Sequence, residues 1–207
     1  MQYPLVLKNF PNNVKLYIPD PLLIKPTYEA LLLENQATPF PFWAKVWPSA
    51  VALTTFLQQN LDLIKHKAVV EIGAGLGLPS FSIAKDVAEI VITDYSIDAV
   101  ELMKINSEQW GIQTIKAICA DWNFFPASIN ADIVLLSDTN YAPSEFESLL
   151  KLIQQFIKKG ATIIIATPER ITTSPFIEQL ELYISKRDLI DITYNEEMAT
   201  IGLFVLK

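Results

Sequence analysis

The chain has 207 residues, 51% hydrophobic and 19% charged, with a formal net charge of −7 and one cysteine, Cys119. That size buries one core, so a single domain with elaborations is expected, and one cysteine excludes an internal disulfide framework and suits a reducing cytoplasm. The sixteen basic residues are scattered, which argues against nucleic acid as a partner, and no apolar run reaches the roughly 18–20 residues of a membrane helix.

The first 67 residues read as a preamble. Val14–Ile18 suits a short strand pairing with Leu5–Leu7 across the Pro11-Asn12-Asn13 turn. Aromatics and prolines then cluster in Pro39-Phe40-Pro41-Phe42-Trp43-Ala44-Lys45-Val46-Trp47-Pro48, where Phe40 and Phe42 read as a hydrophobic plug over the sheet. A helix from Ser49 to Asn60 follows. From residue 68 the rhythm is regular: Ala68–Ile72, Glu89–Thr93, Ile115–Ala120, Asp132–Leu136 and Ala161–Ala166 are short β-branched runs, as strands buried on both faces should be. Helices are expected at 78–86, 96–109, 143–158 and 173–184, with Ser96 and Ser144 as caps and Gly160 closing the third. Leu189–Tyr194 and Thr200–Leu206 lie too close for a crossover helix, so they form a hairpin with one strand antiparallel at the sheet's edge. The expectation is an α/β, doubly wound, mainly parallel, Rossmann-like sheet with an antiparallel C-terminal hairpin, residues 1–48 forming a small extension and 49–207 the main domain.

Three of six glycines fall in Gly73-Ala74-Gly75-Leu76-Gly77, directly after the first core strand. A strand, a glycine turn and a helix make a nucleotide-binding edge, because missing β-carbons let backbone N–H groups approach a ligand. The register is one residue shorter than the dinucleotide fingerprint G-x-G-x-x-G. Glu71 would repel a pyrophosphate and attract a sulfonium, which favours S-adenosyl-L-methionine over NAD. Asp94, seventeen residues after Gly77, is placed to accept both ribose hydroxyls. Asp121 suits the adenine amino group and Trp122 its ring, or Trp122 plugs the sheet's end. Ser137, Asp138 and Tyr141 follow the fourth core strand; the two polar side chains face a reacting group, or Asp138 caps a helix. With one histidine, His66, among lysines, histidine triads and Cys/His zinc sites are excluded.

Glu71-Ile72-Gly73-Ala74-Gly75-Leu76-Gly77, Asp94, Asp121-Trp122 and Asp138-x-x-Tyr141 together resemble the class I, seven-strand S-adenosylmethionine-dependent methyltransferases. Trp47-Pro48-Ser49-Ala50-x-x-Leu53, and Pro41-Phe42-Trp43-Ala44-x-x-Trp47-Pro48 before the glycines, are similar to the protein-lysine branch that includes the electron-transfer-flavoprotein β-subunit lysine methyltransferase. The resemblance covers residues 40 to 207. It implies that Trp47, Gly73, Ala74, Gly75, Asp94, Trp122 and Ser137 line the cofactor, that Glu71 lies near the methionine moiety, and that Asp138 and Tyr141 meet the acceptor. That acceptor is a protein lysine or, in the alternative, a small molecule; an NAD-dependent oxidoreductase is opposed by Glu71, the glycine register and the hairpin.

Overall fold

The structure, a computed structural model, describes residues 2–169 and 174–207. Strands β1 (Leu5–Asn9) and β2 (Lys15–Pro19) pair antiparallel across the Pro11–Asn13 turn, as a sheet of their own. Helix α1 (Ile24–Glu34) follows and buries no residue. The sequence reading has no helix here, because its apolar residues form no stripe facing a core. Helix α2 (Pro48–Gln59) opens with proline at its first position, where no N–H is missed, and buries Ser49, Ala52, Leu53, Phe56 and Leu57 at helical spacing.

The core then alternates: β3 (Ala68–Ile72), α3 (Leu78–Ile83), β4 (Glu89–Asp94), α4 (Ile97–Gln109), β5 (Ile115–Cys119), β6 (Ile133–Ser137), α5 (Phe146–Lys158), β7 (Thr162–Pro168), α6 (Ser174–Glu178), β8 (Ile184–Tyr194) and β9 (Glu197–Leu206). The seven-stranded sheet has the order β5-β4-β3-β6-β7-β9-β8. Successive residues of β3 feed opposite faces: Val69 joins a cluster with Leu53, Phe56, Leu102 and Met103, while Val70 joins one with Leu149, Ile153 and Phe156. Both faces of the sheet are therefore covered, and the order reverses between β3 and β6, which opens a crevice at their carboxyl ends.

Two local expectations change. The antiparallel strand is not at the edge: β9 is inserted between β7 and β8, and β8 is the edge strand. The reason is burial, since Ile201, Leu203, Val205 and Leu206 are buried in β9 whereas Leu189 in β8 is 63% exposed. Helix α5 begins at Phe146, after a short turn over Pro143–Glu145, and has no side-chain cap from Ser144. Ser96 does cap α4, accepting from Ala99 N, and Gly160 follows α5 with φ +87. Position 173, where the last helix was expected to begin, lies outside the described residues. Among the described residues no helix is long and apolar enough to cross a membrane.

Candidate active site

The loop from β3 to α3 carries the site's floor. Gly73, Gly75 and Gly77 have φ of +64, +55 and +70, so three alternating residues occupy the left-handed region that side chains avoid. The loop is tied to β4 twice: Ala74 N donates to Thr93 O at 2.9 Å and Gly75 N to the Asp94 carboxylate at 2.8 Å. A β-carbon on Gly73 would meet Thr139 at 3.0 Å and Trp122 at 3.3 Å, and one on Gly75 would lie 3.3 Å from the Trp43 carbonyl. Glycine therefore keeps a cradle open between the loop, the end of β6 and residues 42–47.

That cradle is one cavity lined by Trp47, Gly73, Ala74, Gly75, Gly77, Asp94, Trp122, Ser137, Asp138 and Tyr141 among others. Ten of the twelve residues singled out from the sequence meet there. Asp94 ends β4 at 5% exposure, its second oxygen accepting from Ser96 N at 2.9 Å. Burial raises its pKa against hydrogen bonds from the Ser96 and Gly75 amides. A carboxylate has about four acceptor positions, so capacity remains for ribose hydroxyls. Trp122 lines the cavity while its indole N–H donates to Glu145 at 2.9 Å.

Asp121 does not line this cavity but the one beside it, which shares Gly73, Tyr95, Trp122 and Tyr141. Its carboxylate accepts from Asn123 N at 2.8 Å and caps the short turn there. Glu71 departs furthest from expectation. It shares the α3 side of β3 with Val69, is fully buried, and accepts from Ser80 N at 3.1 Å and Ser80 Oγ at 2.5 Å. It therefore braces the first turn of α3 beneath the loop rather than facing the cavity. Burial lifts its pKa to about 7, partly opposed by the Ser80 hydrogen bonds and assisted by the charge of Asp94.

At the far wall, Asp138 leaves β6 with φ +52, a conformation uncommon outside glycine and asparagine-like residues, and its N–H donates to Ala166 O at 2.9 Å. It caps no described helix, which removes that alternative. Tyr141 is 44% exposed and lies 5.8 Å from Phe42, ring to ring. Burial, then Tyr95, Asp94, Glu145 and Asp138, raise its phenol's pKa. Phe40 and Phe42 are 42% and 45% exposed, so they are no core plug; Trp43, at 8%, takes that role. Phe42 stands at the cavity mouth, its carbonyl accepting from the Trp47 indole N–H at 3.0 Å. The sequence reading missed Phe42, Lys45, Tyr95 and Thr139 as cavity residues. Tyr95 and Thr139 carried a signal as the neighbours of Asp94 and Asp138, and Phe42 as part of the aromatic motif before the glycines.

Comparison with known proteins agrees with this geometry. A family described as lysine methyltransferase matches residues 29–183. The human histone-arginine methyltransferase METTL23 is 26% identical over 144 residues, covering 67% of this chain and 76% of that one. The bovine protein-lysine methyltransferase METTL21E is 32% identical over 165 residues, covering 71% of this chain but only 54% of its own. Among solved structures, the N-methyltransferase NodS from Bradyrhizobium japonicum, in complex with S-adenosyl-L-homocysteine, superposes with a TM-score of 0.62 at 16% identity, covering 86% of this chain and 97% of that one. With that sheet, that glycine cradle and a profile match over most of its length, the chain belongs to the lysine methyltransferase family and is an S-adenosyl-L-methionine-dependent methyltransferase.

Proposed function

We propose that the chain N-methylates a lysine side chain of a protein. The observation that carries this reading is the approach of Asp138 and Tyr141, from the end of β6, to the same cavity as the glycine loop. Relatives named for protein lysine and protein arginine support a protein acceptor, and the net charge of −7 favours a basic one. In this reading Gly73, Ala74, Gly75 and Gly77 admit the cofactor to the backbone, Asp94 takes its ribose, and Asp121 and Trp122 its adenine. Trp47 and Ser137 wall the remainder. Glu71 acts only through the loop it braces. When bound, the cofactor supplies a methyl group on a sulfonium, a leaving group that needs no activation.

The chain must then deliver a neutral amine in line and keep water out. A lysine has a reference pKa near 10.4, so it must shed a proton first. Asp138 accepts a hydrogen bond from the incoming amine and aims its lone pair, while Tyr141 and Phe42 form the slot around the alkyl stem. We assign donor binding mainly to residues 49–207, with residues 1–48 contributing the wall through Phe42 and Trp47, and we place the protein in the cytoplasm.

The test is incubation with methyl-labelled cofactor and a cell extract, followed by mass mapping. Label on lysines of a protein band supports the reading; label confined to small molecules replaces it with metabolite methylation. Calorimetric titration with S-adenosyl-L-homocysteine and with NADH checks the donor independently, and NADH binding alone would overturn it.

A further inference from the structure

Among the described residues, Lys45 is the one lysine lining the cofactor cavity. It sits in a pinned stretch of chain: Trp43, Ala44 and Val46 are 8%, 1% and 6% exposed, and the Trp43 carbonyl lies against the Gly75 backbone. The backbone of residue 45 is thereby fixed across the glycine loop while its side chain stays free to swing. Its Nζ rests 4.8 Å from the centre of the Trp47 ring, whose neighbour Phe42 meets Tyr141. Among the described residues no carboxylate pairs with this ammonium, so only an exposed cation–π contact opposes its release. Lys45 also lines the adjoining groove beside Pro168 and Thr200, so one swing of the side chain connects that groove with the cavity.

We propose that Lys45 is methylated by its own chain. The inference rests on the methyltransferase reading above. The ammonium of Lys45 gives a proton to solvent. The Nζ lone pair then forms an N–C bond to the donor methyl as the S–C bond breaks, and that electron pair stays on sulfur in S-adenosyl-L-homocysteine. Because acceptor and donor site share one chain, the reaction is intramolecular and needs no encounter. A methylated Lys45 remains a cation with more apolar surface, and it rests on the Trp47 face better than the parent ammonium does.

Two measurements test this on the full chain. First, peptide mass mapping of the purified protein, before and after incubation with S-adenosyl-L-methionine and no other protein, should find one to three methyl groups on Lys45. The fraction converted per minute should not change over about a tenfold dilution, as an intramolecular step requires. Second, lysines are converted chemically to ¹³C-dimethyl-lysine and observed by NMR, without turnover. The Lys45 resonance should stand upfield, under the Trp47 ring current, disappear in Lys45→Arg, and shift on adding S-adenosyl-L-homocysteine. Unmethylated Lys45 in a preparation that labels other proteins overturns the proposal alone. So does a rate that falls with dilution, or a Lys45 resonance indifferent to bound S-adenosyl-L-homocysteine. Failure to bind S-adenosyl-L-homocysteine at all would instead remove both this proposal and the function it rests on.

Discussion

Asp138 and Glu71 are both buried carboxylates near the glycine loop, and their surroundings give them different work. Asp138, at 8% exposure on the cavity wall, is the residue we propose to meet the acceptor. Asp138→Ala should lower turnover on the mapped substrate by about 10²-fold or more, the usual scale for a positioned proton acceptor. Affinity for S-adenosyl-L-homocysteine should be unchanged, and wild-type turnover in the variant would end that role. Glu71 carries a linkage effect instead. Its folded pKa is about 7 against 4.5 for a free carboxyl, so the folded chain keeps a proton that the unfolded chain has already released. Stability must therefore fall as pH rises through that window, by about 3 kcal/mol from this group. Glu71→Gln removes the titration, so its urea midpoint should drop less than that of wild type between about pH 5 and about pH 8. Parallel pH profiles would refute the assignment.

At the scale of elements, the C-terminal hairpin turns on Asn195 and Glu196, with φ of +49 and +66. Two consecutive left-handed residues make the turn whose twist matches a hairpin, and glycine is preferred at its second position. Glu196→Gly should relieve about 1–2 kcal/mol of left-handed backbone strain, partly offset by the greater unfolded-state entropy of glycine, and the net gain is read as a higher thermal midpoint; a lower midpoint would mean the side chain itself holds the tip. This turn shows where sequence legibility stopped. The five core strands and the existence of the hairpin were readable because β-branched runs and helical stripes are local patterns. The extra strand residues back to Ile184, and from Glu197, were not, since Ser185-Lys186-Arg187-Asp188 is an unbroken polar run with no alternation to read. Helix α1, held with no buried residue, left no stripe to read. For the site, the glycines and the carboxylates at strand ends were legible as a one-dimensional motif. The inward face of Glu71 depended on strand phase relative to α3, and Lys45 and Phe42 joined the cavity only because the chain folds back over Gly75.

At the scale of the whole molecule, the cavity draws its walls from residues 42–47, the loop after β3 and the ends of β4 and β6. A ligand there binds the assembled fold and nothing else. S-adenosyl-L-homocysteine at a hundred times its dissociation constant should stabilise the chain by about 2.7 kcal/mol. For a domain of this length that is a rise of about 5–11 °C in thermal midpoint, and an equal rise with NADH would contradict the donor assignment. The placement of β9 between β7 and β8 reaches beyond equilibrium, to the order in which the protein can be born. Of the nine strands among the described residues β9 leaves the ribosome last, yet β8 pairs with the sheet only through it. A nascent chain that has emerged through residue 194 thus holds a parallel sheet with an open flank at β7 and a long ribbon without a partner, the situation in which strand edges are most exposed to wrong pairing. Protease added to chains stalled there should cut within 184–194, and protection should arrive only when 197–206 has cleared the exit tunnel; earlier protection would show that β8 finds another partner first.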